Sequence, residues 1–100
     1  MHRQRDRILK IQLTGNIDVP ADCLAEVSAA LPEHIRLTRA ETGCISFNVT
    51  PSPDVAGRFD IAEVFTDRAA FDAHQVRTKA SDWAKLTKDI PRQYQIEEVV

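Results

Sequence analysis

Residues 59–75, FDIAEVFTDRAAFDAHQ, change period half-way along. Phe59, Ile61, Glu63 and Phe65 alternate with Asp60, Ala62 and Val64, the two-residue period of a strand with one covered face. Asp67 then stands where a helix N-cap belongs, its carboxylate suited to the free amide protons of a first turn. RAAFDAHQVR follows, with Ala70, Phe71 and His74 on one side of a helix. Glu63 and His74 thus occupy positions where apolar residues are expected. Either they form a working acid/base pair, or the fold satisfies them as polar groups.

Upstream, ILKIQLT (8–14) sets Leu9, Ile11 and Leu13 against Lys10, Gln12 and Thr14, which predicts a strand that Gly15-Asn16 ends. Pro20 is expected to open a helix carrying Leu24, Val27, Leu31 and Ile35 at helical spacing. Pro32, lacking an amide proton, is expected to kink or split it. Thr42-Gly43 stops that helix, glycine suiting a left-handed cap. CISFNVT (44–50) alternates again, with Ile45, Phe47 and Val49 on one face and Cys44, Ser46, Asn48 and Thr50 on the other. PSPDVAGR reads as a hairpin connection. Downstream, Ser81 caps a short helix with Trp83, Leu86 and Ile90 as its stripe, Pro91 ends it, and QYQIEEVV is a final strand.

The order strand, helix, strand, strand, helices, strand is that of the ferredoxin-like split βαβ arrangement, an α+β fold. It predicts a four-stranded antiparallel sheet with its helices on one face, covering Leu9, Ile11, Leu13, Ile45, Phe47, Val49, Ile61 and Phe65. Lys10, Gln12, Ser46, Asn48, Asp60, Ala62 and Val64 form a mixed second face.

With 100 residues and 43% hydrophobic content the chain makes one domain, expected over 8–100 behind a flexible leader at 1–7. Thirteen basic and 15 acidic residues leave a net charge of -2, spread without the basic footprint of a nucleic-acid or anionic-membrane binder. MHRQRDR is not followed by the apolar run of a secretory signal, and no stretch has the length of a membrane span. Cys23 and Cys44 have neither metal-site spacing nor disulfide density. A cytoplasmic protein with a small-molecule or protein partner is expected.

RAETGCISFNV, then RFDIAEVFTDRAAFDAH, then a short helix and a last strand, resemble the antibiotic biosynthesis monooxygenase family of dimeric α+β barrels. The pieces that carry the likeness are Glu41-x-Gly43-Cys44, Glu63-x-Phe65-x-Asp67 and Ala70-Phe71-x-x-His74, and it extends from Ile8 to Glu98. The resemblance implies a homodimer whose open sheet faces pack to close a barrel, with a pocket between sheet and helices. It implies cofactor-independent oxidation of a quinol-like or polycyclic phenolic substrate by molecular oxygen, without a metal or other cofactor. The same fold also serves non-catalytic small-molecule binders and stress-response proteins, and a haem-degrading branch. That branch has a tryptophan where Phe65 stands and an asparagine that ILKIQLT lacks, so haem degradation is disfavoured.

Oxygenation without a cofactor needs a substrate anion, hence a base, a dry pocket and a hydrogen bond to the developing oxyanion. His74 is the expected base, titrating near neutral pH beside Phe71, and Glu63 is expected to orient its imidazole. Phe47, Phe59, Phe65, Phe71 and Trp83 would form flat walls, Arg39 would meet a substrate oxygen, and His34 would line the pocket. Each has a structural alternative: His74 and Glu63 as satisfied polar groups, Arg39 and Glu41 as an exposed pair, the aromatics as core. Cys44 is expected at the dimer face, and His2 has no expected role.

Overall fold

The computed structural model describes residues 9–100. The expected leader therefore lies outside the described residues. Strand β1 (Lys10–Asp18), helix α1 (Leu24–Arg39), strands β2 (Cys44–Pro51) and β3 (Arg58–Phe65), helices α2 (Arg68–Lys79) and α3 (Asp82–Thr87) and strand β4 (Arg92–Val99) follow in order. All pairings are antiparallel and the sheet order is β2-β3-β1-β4. This is the ferredoxin-like α+β arrangement, with β1 and β2 parallel to each other across β3.

The helices cover the face built from Ile11, Leu13, Ile17, Phe47, Phe59, Ile61 and Phe65, all less than a tenth exposed. Val27 and Leu31 from α1 and Phe71 from α2 complete the core. Truncating a buried phenylalanine such as Phe65 or Phe71 would cost about 3–5 kcal/mol. Asp67 accepts the Ala70 amide at 2.8 Å, and Ser81 accepts that of Ala84 at 3.2 Å, so both expected caps form.

Four local expectations are corrected. Strand β1 does not end at Gly15-Asn16 but runs to Asp18, because Gly15 pairs with Ile61 on one side and Tyr94 on the other. A Cβ at Gly15 would collide with the Gln93 carbonyl and meet the Tyr94 ring at 2.8 Å, so this glycine makes room within the sheet rather than ending it. The forked Arg58–Asp18 pair, at 2.6 and 3.0 Å, ties the far end to β3.

Helix α1 starts at Leu24, after a turn in which the Cys23 amide bonds the Pro20 carbonyl, and Pro32 does not split it. Pro32 and Ser28, whose carbonyl loses its helical donor, are both exposed, so water can take that bond. Gly43 has no left-handed conformation; the only positive φ among the described glycines is that of Gly57, at 81°. Gly43 serves close packing instead, since a Cβ there would collide with that of Ala70 on α2.

In β2 a bulge between Cys44 and Ser46 skips Ile45. Phe47 pairs with Glu63 and Cys44 with Phe65, so Cys44 turns to the helix side and Ile45 is left 49% exposed. Cys44 thus packs against the core instead of lying on the second sheet face. Burial, then the Glu41 and Glu63 charges, push its thiol pKa up, which keeps it unreactive. Beyond β1 the helices stop: β4 is exposed from Arg92 to Glu98, with Tyr94 and Ile96 open on the side where the core lies elsewhere.

Candidate functional site

The close approach at Gly43 has a chemical consequence. The Thr66 amide bonds the Gly43 carbonyl at 2.9 Å, and the missing Cβ lets the α1–β2 turn settle on Ala70 in the first turn of α2. Glu41, two residues earlier, then reaches further along α2. Its Oε1 lies 2.9 Å from His74 Nδ1, and its Oε2 accepts from Arg77 Nε. Arg77 Nη2 also donates to Thr38 Oγ1 at 3.0 Å, fastening the group to the last turn of α1.

A carboxylate paired with arginine only accepts hydrogen bonds, so His74 Nδ1 carries the proton. That leaves Nε2 with its lone pair on the other side of the ring. Glu63 Oε1 lies 3.7 Å from Nε2, too far for a direct hydrogen bond, and is buried without a partner. The orienting role expected of Glu63 therefore falls geometrically to Glu41. Glu41 does not pair with Arg39, as an exposed pair would have it.

Burial holds the His74 pKa below its ordinary 6.5, against the pull of Glu41, so the ring is neutral at pH 7. Burial, then the Glu41 charge, push Glu63 from 4.5 up to about 7. Near neutral pH the pair is thus an uncharged imidazole facing a carboxyl that readily keeps its proton. Both line a cavity of about 340 Å³, at the small end of the roughly 300–1,000 Å³ typical of ligand pockets.

Of the residues expected at the site, Glu63, His74, Phe47, Trp83 and His34 line this cavity. His34 stacks on Trp83 at 4.6 Å between centroids and meets the Phe47 ring edge-on at 5.4 Å. Its burial, then the Arg77 charge and the charge that His74 acquires when protonated, lower its pKa to about 4. Phe59, Phe65, Phe71 and Arg39 do not line it. Phe65 is fully buried behind His74, 4.8 Å from its ring, and Phe71 backs Phe65 at 5.8 Å. Arg39 is turned to β2, where it donates to the Phe47 carbonyl at 3.0 Å and to Asn48 Oδ1 at 3.3 Å.

Sequence reasoning missed the Glu41–His74 bond, although Glu41-x-Gly43-Cys44 had drawn notice as a motif. The signal was the glycine beside it, required for a close approach. Thr78, whose Oγ1 sits 3.4 Å from His74 Nε2, and Tyr94 were also missed as cavity residues.

A family model described as antibiotic biosynthesis monooxygenase matches residues 11–86. The chain belongs to the antibiotic biosynthesis monooxygenase family. A protein from Deinococcus radiodurans described as a candidate antibiotic biosynthesis monooxygenase has the same fold, with a TM-score of 0.80 at 19% identity over 90% of this chain and 92% of its own. A counterpart from Nitrosomonas europaea gives 0.75 at 20%, over 92% and 90%. SnoaB, a cofactor-independent oxygenase from Streptomyces nogalater, gives 0.76 at 12%, over 89% and 91%. At such identities the likeness is one of fold. No functionally curated protein matches the chain in sequence. Among the described residues of this antibiotic biosynthesis monooxygenase family member, no helix is long and apolar enough to cross a membrane.

Proposed function

We propose that the chain is a cofactor-independent monooxygenase that oxidises a small quinol-like or polycyclic phenolic compound with molecular oxygen, His74 serving as the base. The observation that carries this reading is the bond from His74 Nδ1 to Glu41, which turns an unprotonated Nε2 toward Glu63 and the cavity. A substrate hydroxyl between Nε2 and Glu63 Oε1 can touch both, because atoms 3.7 Å apart share a common neighbour at hydrogen-bond distance. Nε2 takes its proton, and protonated Glu63 donates to the oxyanion left behind.

The anion passes an electron to oxygen, and recombination forms the new carbon–oxygen bond. For an activated ring CH2 group bound as its enol, the peroxide regains the proton from Nε2 and loses water with the remaining C–H hydrogen, leaving a carbonyl: one oxygen atom stays on carbon and the other departs as water. Phe47 and Trp83 supply flat walls, and Phe65 and Phe71 keep water from the back of the imidazole. Activity in the cytoplasm as a homodimer belongs to the same reading. The dimer is supported by the second sheet face and by β4, both left without a covering layer. Sedimentation at micromolar concentration tests the dimer, and a stable monomer would contradict it.

Oxygen uptake with a panel of hydroquinones and anthrone-type phenols, in wild type and His74→Ala, tests the chemistry. Uptake with at least one compound, lost in the variant, is expected; no uptake with any of them would sink the enzyme reading.

A further inference from the structure

We propose that the cavity takes a small aromatic carboxylic acid, its anionic end at a basic rim formed by Lys79, Lys88 and Arg92 and its hydroxyl at Glu63 and His74. The inference rests on the reading of this cavity as the substrate site.

The three cations come from three places in the chain: the end of α2, the residue after α3 and the start of β4. All three line the cavity and are exposed, whereas Glu63, deep inside, is the one acidic side chain among the lining residues. The positive rim is not inherited from composition, since the chain as a whole carries -2. Among the described residues none of the three cations forms an ion pair. Arg92 is nonetheless held in place, its guanidinium donating to the Ile90 carbonyl at 3.1 Å and to the Thr87 carbonyl.

At the other end, Glu63 Oε1 and His34 Nδ1 are buried without partners, and both residues line the cavity. Unpaired buried polar atoms cost free energy, which a ligand oxygen would recover. The apolar surfaces of Leu13, Ile61, Phe47 and Trp83 also line the cavity, Leu13 and Phe47 as the cross-strand neighbours of Glu63. The lining thus combines buried polar groups, apolar walls and exposed cations. A rigid ring system with a hydroxyl at one end and an anion at the other matches all three. Its anion would stay at the open mouth, where it gains attraction without the desolvation cost of burial.

Calorimetric titration with 6-hydroxy-2-naphthoate and 2-naphthol, which differ only in the distal carboxylate, tests this. The naphthoate is expected to bind about tenfold more tightly at low salt, the preference shrinking as salt screens the rim. The Lys79→Gln/Lys88→Gln double variant, altered only at exposed side chains, should lose most of the preference while its affinity for 2-naphthol holds. Lys85→Gln, on α3 but not lining the cavity, should keep the preference. Equal affinity for the two probes, or equal weakening of both in the double variant, would overturn the proposal. In either case 2-naphthol binding that is lost in His74→Ala would leave the substrate-site reading standing. Absence of binding by both probes would overturn the two together.

Discussion

His34 on α1 and His74 on α2 are both buried, both lie against Phe47 and both line the same cavity, yet their surroundings differ in kind. His74 is gripped at Nδ1 by the Glu41 carboxylate, which Arg77 holds while itself donating to Thr38. His34 has no polar partner at Nδ1 and is held by ring contacts with Trp83 and Phe47. Burial depresses both pKa values, but only at His74 does a neighbouring carboxylate pull the other way. A proton acceptor must also bear the charge it acquires, and only His74 has the counter-charge in place. His34 is built to stay neutral and flat.

That difference is testable first in turnover. His74→Ala should lower kcat by about 10²–10⁴, the range for loss of a general base. His34→Ala should act mainly on KM, because it removes a wall and not a proton acceptor. Oxygen uptake under saturating substrate separates the two, and an equal fall in kcat would erase the distinction.

Stability against pH gives a second contrast, between His34 and Glu63. Glu63 rises from 4.5 to about 7 on folding, so the folded chain keeps a proton that the unfolded chain releases. Its contribution is fully present below pH 4.5 and is lost as pH climbs through about 7. His34 falls from 6.5 to about 4, so its environment disfavours folding increasingly as pH drops through that window. In wild type the two slopes oppose each other where the windows overlap. Glu63→Gln should uncover the His34 slope, stability rising by about 3 kcal/mol from pH 4 to 6.5. His34→Gln should uncover the reverse, a fall in stability from pH 4.5 to 7 that the lowered His74 pKa offsets only in part. Urea midpoints across pH would read both, and parallel curves for the two variants would contradict the assigned environments.

How much of this was legible beforehand depended on whether the cause was local. The alternation in FDIAEVF placed Glu63 inward, and the Asp67 cap set the phase of α2, so His74 was found from its own neighbours. Glu41 was not, because its partner lies 33 residues on and is reached through the packing of Gly43 against Ala70. Cys44 and Ile45 were placed on the wrong faces for a similar reason. A bulge is a property of two paired strands, and CISFNVT alone alternates without a break. Gly15-Asn16 looked like a stop because glycine usually weakens a strand, whereas here its neighbour Tyr94 needs the space. Strand β4 could be read as a strand but not as an edge whose two sides are both open.

Within the His74 cluster, Glu41→Gln keeps the shape and removes the charge. Turnover should fall by about 10–10², since a hydrogen bond to a charged group is worth roughly 1.5–3 kcal/mol. The Glu41 charge raises the His74 pKa, so its loss should move the acid limb of the kcat/KM profile to lower pH. A purely structural role for Glu41 would lower activity without moving that limb.

The weakest contrast concerns how the two histidine-bearing helices begin. Helix α2 starts from Asp67, whose extended backbone, φ -164° and ψ 177°, lets its carboxylate turn back to the Ala70 amide. Asp67→Ala should therefore cost about 1 kcal/mol in thermal or urea unfolding. Helix α1 starts from Cys23 at φ -107° and ψ -7°, already helical because the turn from Pro20 feeds directly into it, and no side chain caps it. A cap needs the preceding residue to be extended, so Cys23→Ser, although it supplies a hydroxyl, should change stability by no more than about 0.5 kcal/mol. A larger gain would mean that the first turn of α1 rearranges to accept the cap. The entry to the His34 helix would then be less constrained than the entry to the His74 helix, which the Asp67 cap and the Gly43–Ala70 contact hold from both sides.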